Sequence, residues 1–211
     1  MPPLKRSFRP IAAAALLTAS GLALIAAVPA AAQLFSDSYE FLEAVRERDG
    51  AKAMELLNGP SGTIVNTRDR STGETALHIV VARRDMVWIN FMLSRGANAN
   101  LTDRAGLTPL LSAAQIGFVD GAQALIARGA QVNLGNGRGE TALHIAVQRR
   151  DIAMVRALIA AGANPDQQDN VAGKSPRDYA TDDNRSVAVL AALNERRAGA
   201  ATDAPRPAGP N

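Results

Sequence analysis

Cysteine is absent from all 211 residues. Its absence excludes a disulfide framework, a thiol nucleophile and a lipoprotein anchor cysteine, so the fold has to be held by packing alone. Histidine is almost as scarce, with His78 and His144 the only two. Trp88 is the one tryptophan, and its setting among Ile89, Met92 and Leu93 suits packing better than a site. No phosphate loop, no motif-borne pair of carboxylates and no Ser-His-Asp arrangement can be placed on the chain. An enzyme is therefore not expected, and neither a cofactor nor a metal.

Net charge also disappears on inspection. Residues 1–9 are basic and carry no acid, residues 11–28 are uncharged and mostly Ala, Leu and Ile, and Ala30-Ala-Ala32 follows Pro29. A basic start, an apolar middle and an Ala-x-Ala end form a secretory signal peptide over 1–32, cleaved after Ala32. The alternative is a retained anchor, since an apolar run of about 18 residues can just span a bilayer. Ser20, Gly21 and Pro29 interrupt that run and favour cleavage. Lys5-Arg-Ser-Phe8 is close to a twin-arginine pattern, so the export route stays open. Cleavage removes Lys5, Arg6 and Arg9 and leaves 20 basic residues facing 20 acidic ones. The mature chain is expected to be exported (periplasmic or secreted), off the membrane once cleaved, and neutral. The formal +3 of the whole chain belongs to the signal and gives no support to nucleic-acid binding.

What the chain does contain is repetition. Gly73-Glu-Thr-Ala-Leu-His78 returns as Gly139-Glu-Thr-Ala-Leu-His144, with Gly106-Leu-Thr-Pro-Leu-Leu111 between them and the glycines 33 residues apart. Gly96-Ala97, Gly129-Ala130 and Gly162-Ala163 keep the same step. A fixed step of this size marks stacked supersecondary units, each leaving an apolar face for its neighbour to cover. The motif and period resemble the ankyrin repeat, whose turn signature reads T-P-L-H-x-A. That resemblance implies an all-α solenoid of helix-turn-helix units with finger-like β-turns, about five units including degenerate caps.

Three regular units are expected at 67–99, 100–132 and 133–165. In each, a glycine takes the positive φ of the tight turn, and Thr75, Thr108 or Thr141 stands where a hydroxyl caps the first helix. Pro109 fits a first helical turn, where its missing N–H costs nothing. Leu77, Leu110 and Leu143, with Ala113 and Ala146, form one narrow inward strip. Gly96, Gly129 and Gly162 end the second helices. A degenerate unit at 33–66, with Phe41, Leu42, Ala44 and Val45 in the first-helix positions, serves as the N-terminal cap. It carries an insertion around Asn58-Gly-Pro-Ser-Gly62. The unit at 166–197 is the C-terminal cap, where Arg177 replaces the inward leucine, and 198–211 is a Pro/Gly-rich disordered tail. Gly135-Asn-Gly-Arg-Gly139 precedes a repeat turn instead of following a strand, so it reads as a finger and not a phosphate cradle.

The two histidines share one slot of the motif. As metal ligands they would lie about two helix-packing widths apart, roughly 20 Å, too far to share an ion. The resemblance implies instead that each imidazole bonds the preceding threonine and the finger backbone. It also implies which residues face the concave side: those around the turn glycine and the pair that follows the inner-helix alanines. Here these include Arg83, Arg104, Leu107, Gln115, Ile116, Arg138, Gln148 and Arg149. Leu107 and Ile116 would give the middle unit an apolar centre with an arginine-bearing rim, the anatomy of a protein-binding patch. The other reading is that a neighbouring side chain covers Leu107 and the surface is ordinary. The expected activity is binding of another protein by a monomeric scaffold. An inhibitor or immunity-type accessory that occludes an enzyme is the alternative.

Overall fold

The computed structural model describes residues 30–59 and 64–202. Residues 1–29 of the expected signal, 60–63 of the insertion and 203–211 of the tail lie outside the described residues. Ten α-helices follow one another: α1 (Ala30–Glu47), α2 (Gly50–Leu57), α3 (Ala76–Ala82), α4 (Met86–Ser94), α5 (Pro109–Gln115), α6 (Val119–Ala127), α7 (Ala142–Gln148), α8 (Ile152–Ala160), α9 (Pro176–Asp182) and α10 (Val187–Thr202). Helix α10 runs to Thr202, past residue 198 where the tail was expected to begin. No helix among the described residues is long and apolar enough to cross a membrane.

Odd-numbered helices form the inner layer and even-numbered ones the outer layer. Contacts run α1 to α3, α5, α7 and α9 along the inner row, and α4 to α6, α8 and α10 along the outer row. Short inner helices follow from the sequence. Thr108 accepts from the Leu111 N–H at 3.2 Å, Ser175 caps α9, and Pro109 and Pro176 open their helices without wasting a donor. The alanines behind them do the rest. Ala76, Ala113, Ala114, Ala142, Ala146 and Ala180 are all fully or almost fully buried, and with no side chain beyond Cβ they let neighbouring backbones approach. Phe41, Leu77, Leu110, Leu143 and Leu158 belong to one continuous core that crosses every unit, so no unit is closed without its neighbours.

The turn from inner to outer helix has a constraint of its own. Its residue is left-handed in four units: Arg48 (φ 63), Arg84 (φ 57), Gly117 (φ 64) and Arg150 (φ 55). In three of the four an aspartate follows and caps the outer helix: Asp49 accepts from Lys52, Asp85 from Trp88 and Asp151 from Met154, at 2.9–3.2 Å. The middle unit has Phe118 in that place, 7% exposed, with no side-chain cap. Its ring fills the space above Gly121, where an added Cβ would sit 2.4 Å from Phe118 Cδ1. Gly121→Ala must push the ring out of its seat, at about 1–3 kcal/mol of stability. Chemical denaturation of the two proteins measures it.

Candidate partner-binding face

Each finger is built on one side chain. Asp69, Asp103, Asn136 and Asp169 stand three or four residues before the turn glycines and fold back over the turn. Asp69 Oδ1 accepts from the Ser71 and Thr72 amides, Asp103 Oδ1 from the Leu107 amide at 2.8 Å, and Asn136 Oδ1 from the Arg138 and Glu140 amides. Asp169 Oδ1 accepts from Val171, Ala172 and Gly173, while its Oδ2 accepts from the Tyr179 hydroxyl at 2.7 Å. At Asp69 and Asp169 such donors favour the charged form. The Tyr179 hydroxyl, with the amides, holds Asp169 down to about 2. The Ser71 hydroxyl and then Arg46 hold Asp69 well below the usual carboxylate range. Fingers also join one another. The Arg104 amide donates to the Thr72 carbonyl at 2.9 Å, and the Asn170 amide to the Arg138 carbonyl at 2.8 Å.

The histidines tie fingers to inner helices. Nδ1 of His78 lies 2.9 Å from Thr75 Oγ1 and accepts from the Thr75 amide at 3.1 Å; Nε2 lies 2.9 Å from the Leu107 carbonyl oxygen, in the next finger. His144 repeats this with Thr141 and with the Lys174 carbonyl at 3.2 Å. A carbonyl can only accept, so Nε2 carries the proton and Nδ1 is the acceptor. Both rings are buried and neutral, and burial lowers both pKa values. Among the described residues, no three His, Cys, Asp or Glu side chains could hold a metal ion.

The structure divides the eight residues that sequence reasoning placed on this face. Gln115, Gln148 and Arg149 are exposed at the ends of the inner helices, and Arg104 and Arg138 are exposed on the fingers. Leu107 and Ile116, expected as an apolar centre open to solvent, are half-buried against the core. His78 and Asp103 draw the Leu107 backbone down onto the inner helix. The Ile116 carbonyl in turn accepts from the Arg84 guanidinium.

Arg83, expected as a rim charge, is turned inward. Its Nη1 donates to the Val45 and Arg46 carbonyls at 2.5 and 2.9 Å, at the C-terminal end of α1 where a cation is favoured. Its guanidinium also lies 6.0 Å over the Trp88 ring, so it joins the cap to the first regular unit. At the other end Arg177, in place of an inward leucine, pairs with Asp166 at 2.6 Å and Asn194 at 2.7 Å.

Three features were not found from sequence. One is the row of finger anchors. Another is a ladder of loop asparagines, in which Asn66, Asn100 and Asn133 accept from the Asn98, Gln131 and Asn164 amides at 2.7 Å. Asparagine at 66, 100 and 133, a repeat apart, was the signal for it. The third is an open groove of about 610 Å³ at the N-terminal end, between α1 and the first finger. It is lined by Tyr39, Leu42, Arg68 and Arg70 among others.

Stacked helix pairs, stacked fingers and threonine–histidine ties define the class, and comparison agrees with it. The family profile described as "Ankyrin repeats (3 copies)" matches residues 41–136 and 82–169. The chain belongs to the ankyrin repeat family, whose repeats are protein-interaction modules. It is similar to an ankyrin repeat protein of fowlpox virus (strain NVSL), with 41% identity over 58 residues. That match spans 28% of this chain and 16% of the viral protein.

Proposed function

We propose that the chain is an exported, non-catalytic scaffold that binds another protein through its concave face. The observation that carries this reading is the row of exposed polar side chains, Gln115, Gln148 and Arg149, on inner helices whose opposite sides are fully committed to the core. Such a face comes preorganised: hydrogen-bonded fingers and close-packed helices leave little ordering entropy to lose on association. Both histidines are bound up in the fold, so neither imidazole is offered on the face. The chain acts as a monomer, its two ends closed by polar capping units.

The test uses residues 33–211 as bait in the exported fraction of the native host, followed by calorimetry with the recovered protein. Gln115→Trp/Gln148→Trp should melt like the parent, since exposed substitutions usually stay within about 0.5 kcal/mol, and should weaken binding by about tenfold or more, because bulk at the centre of an interface destroys its fit. Unchanged binding, with loss on Gln123→Trp of α6, would place the interface on the outer side instead. Export has its own check. Mass spectrometry of the native protein should show Gln33 as the first residue, and an intact Met1 on a membrane-bound protein would establish the anchor instead.

A further inference from the structure

On the fingers, acids and bases are sorted by depth. Asp69, Glu74, Asp103 and Glu140 are half-buried and Asp169 is buried, whereas Arg68, Arg70, Arg104, Arg138 and Lys174 are exposed. Three of the acids are spent on the backbone amides of their own turns. Glu74 accepts from the Thr72 hydroxyl at 3.0 Å, and Glu140 from the Asn136 side chain at 2.9 Å, with the largely exposed Arg138 guanidinium 3.7 Å from the same Glu140 carboxylate. The fingers are formally neutral yet present cations outward. Arg70 and Arg104 occupy the first position after the anchoring aspartate, and Arg138 the second after Asn136. The Arg104 guanidinium reaches back to the Arg70 carbonyl, which sets it along the line of the stack. At the end of this row, Arg68 and Arg70 form one wall of the open groove, with Tyr39 (66% exposed) and Leu42 on the other.

We infer that this edge binds an extended acidic segment of the partner protein, with carboxylates facing Arg70, Arg104 and Arg138 and an apolar residue seated beside Tyr39 and Leu42. The inference rests on the protein-binding reading above. Its register follows from two lengths. Stacked units are spaced by helix packing, about 8–10 Å, and an extended chain advances about 3.3 Å per residue. Acids at every third position therefore meet successive arginines, and about ten residues cover the row and the groove. A nucleic acid fits the same edge poorly. Its charges are several-fold denser than one per 8–10 Å, and single strands are held by stacking on aromatic rings. Among residues 36–59 and 64–195, Tyr39 is the one exposed aromatic.

The probe is a fluorescent ten-residue peptide with Glu at every third position and a terminal Leu, titrated by anisotropy into the 33–211 protein. Controls are the same peptide with Gln for Glu and an oligothymidylate of matched charge. Three results are expected. The acidic peptide binds about tenfold or more tighter than the Gln peptide, Arg104→Glu/Arg138→Glu loses at least that factor, and binding weakens as added salt shortens the Debye length from about 30 to 8 Å. Arg104→Gln/Arg138→Gln, which removes the cations without adding repulsion, should lose part of the affinity with an unchanged melting curve. Equal binding of the Gln peptide, indifference to the reversals or tighter binding of the oligonucleotide each overturns the inference. The concave-face reading fails separately, when Gln115→Trp/Gln148→Trp leaves the native partner bound.

Discussion

Alanine at Gly139 is expected to lower the stability of the array by about 2–5 kcal/mol. Two causes add there. Gly139 has φ 77, a left-handed conformation that costs a residue with Cβ about 1–2 kcal/mol. Its Cβ would also lie 2.8 Å from Asn170 Cγ and 2.9 Å from the Asn170 backbone nitrogen. That amide is the one held by the Arg138 carbonyl, so the fingers must part, with an overpacking cost of about 1–3 kcal/mol. Gly96 isolates the first cause: its φ is 82, and a Cβ there meets nothing within 4 Å. Gly96→Ala should cost only the about 1–2 kcal/mol of backbone strain. Denaturant melts of the two variants beside the parent give the finger contribution as a difference. Equal losses would mean that finger stacking contributes nothing.

The second large effect joins stability to pH. His144→Leu copies the middle unit, where Leu111 fills the same slot. The Lys174 carbonyl keeps its bond from the Asp169 amide at 2.9 Å, but the buried Thr141 amide loses its acceptor, at about 1–3 kcal/mol. His78→Leu should behave alike. The pH dependence separates this from a simple packing change. Burial lowers both histidine pKa values in the fold, so below about pH 6.5 the unfolded chain binds protons that the folded chain refuses. Stability is full above that pH and declines as pH falls toward the lowered folded values. A second decline begins near pH 4. Asp169 and Asp183, both held to about 2 in the fold, lose their contribution as pH falls through that value. The double leucine variant should keep the second decline and lose the first. A first decline that survives in it would contradict the assignment of neutral, bonded imidazoles.

Much of this was legible because repeats report themselves. The 33-residue step placed Thr75, Thr108 and Thr141 at helix starts and Gly96, Gly129 and Gly162 at helix ends, and local chemistry alone requires those types there. The finger anchors were missed because an aspartate or asparagine in a loop has no distinctive neighbours, and the distance to the glycine varies between three and four residues. Nor could arginine at 48, 84 and 150 be read as left-handed. Gly117 in the equivalent slot was the single hint. Arg83 and Leu107 lie deeper than the sequence suggested for another reason: both are drawn in by groups roughly 30 to 40 positions away, Val45 and Arg46 for one and His78 for the other. Position within a unit is set locally. Which exposed slot a side chain deserts depends on the unit next door.

The central claim, binding through the concave face, is tested most directly by photo-crosslinking in the native host. A photoreactive amino acid is placed singly at Gln115 and Gln148 on the inner helices and at Gln123 and Arg156 on the outer ones, all four exposed. One common adduct is expected from Gln115 and Gln148 and none from Gln123 or Arg156. An adduct confined to the outer-helix positions would contradict it.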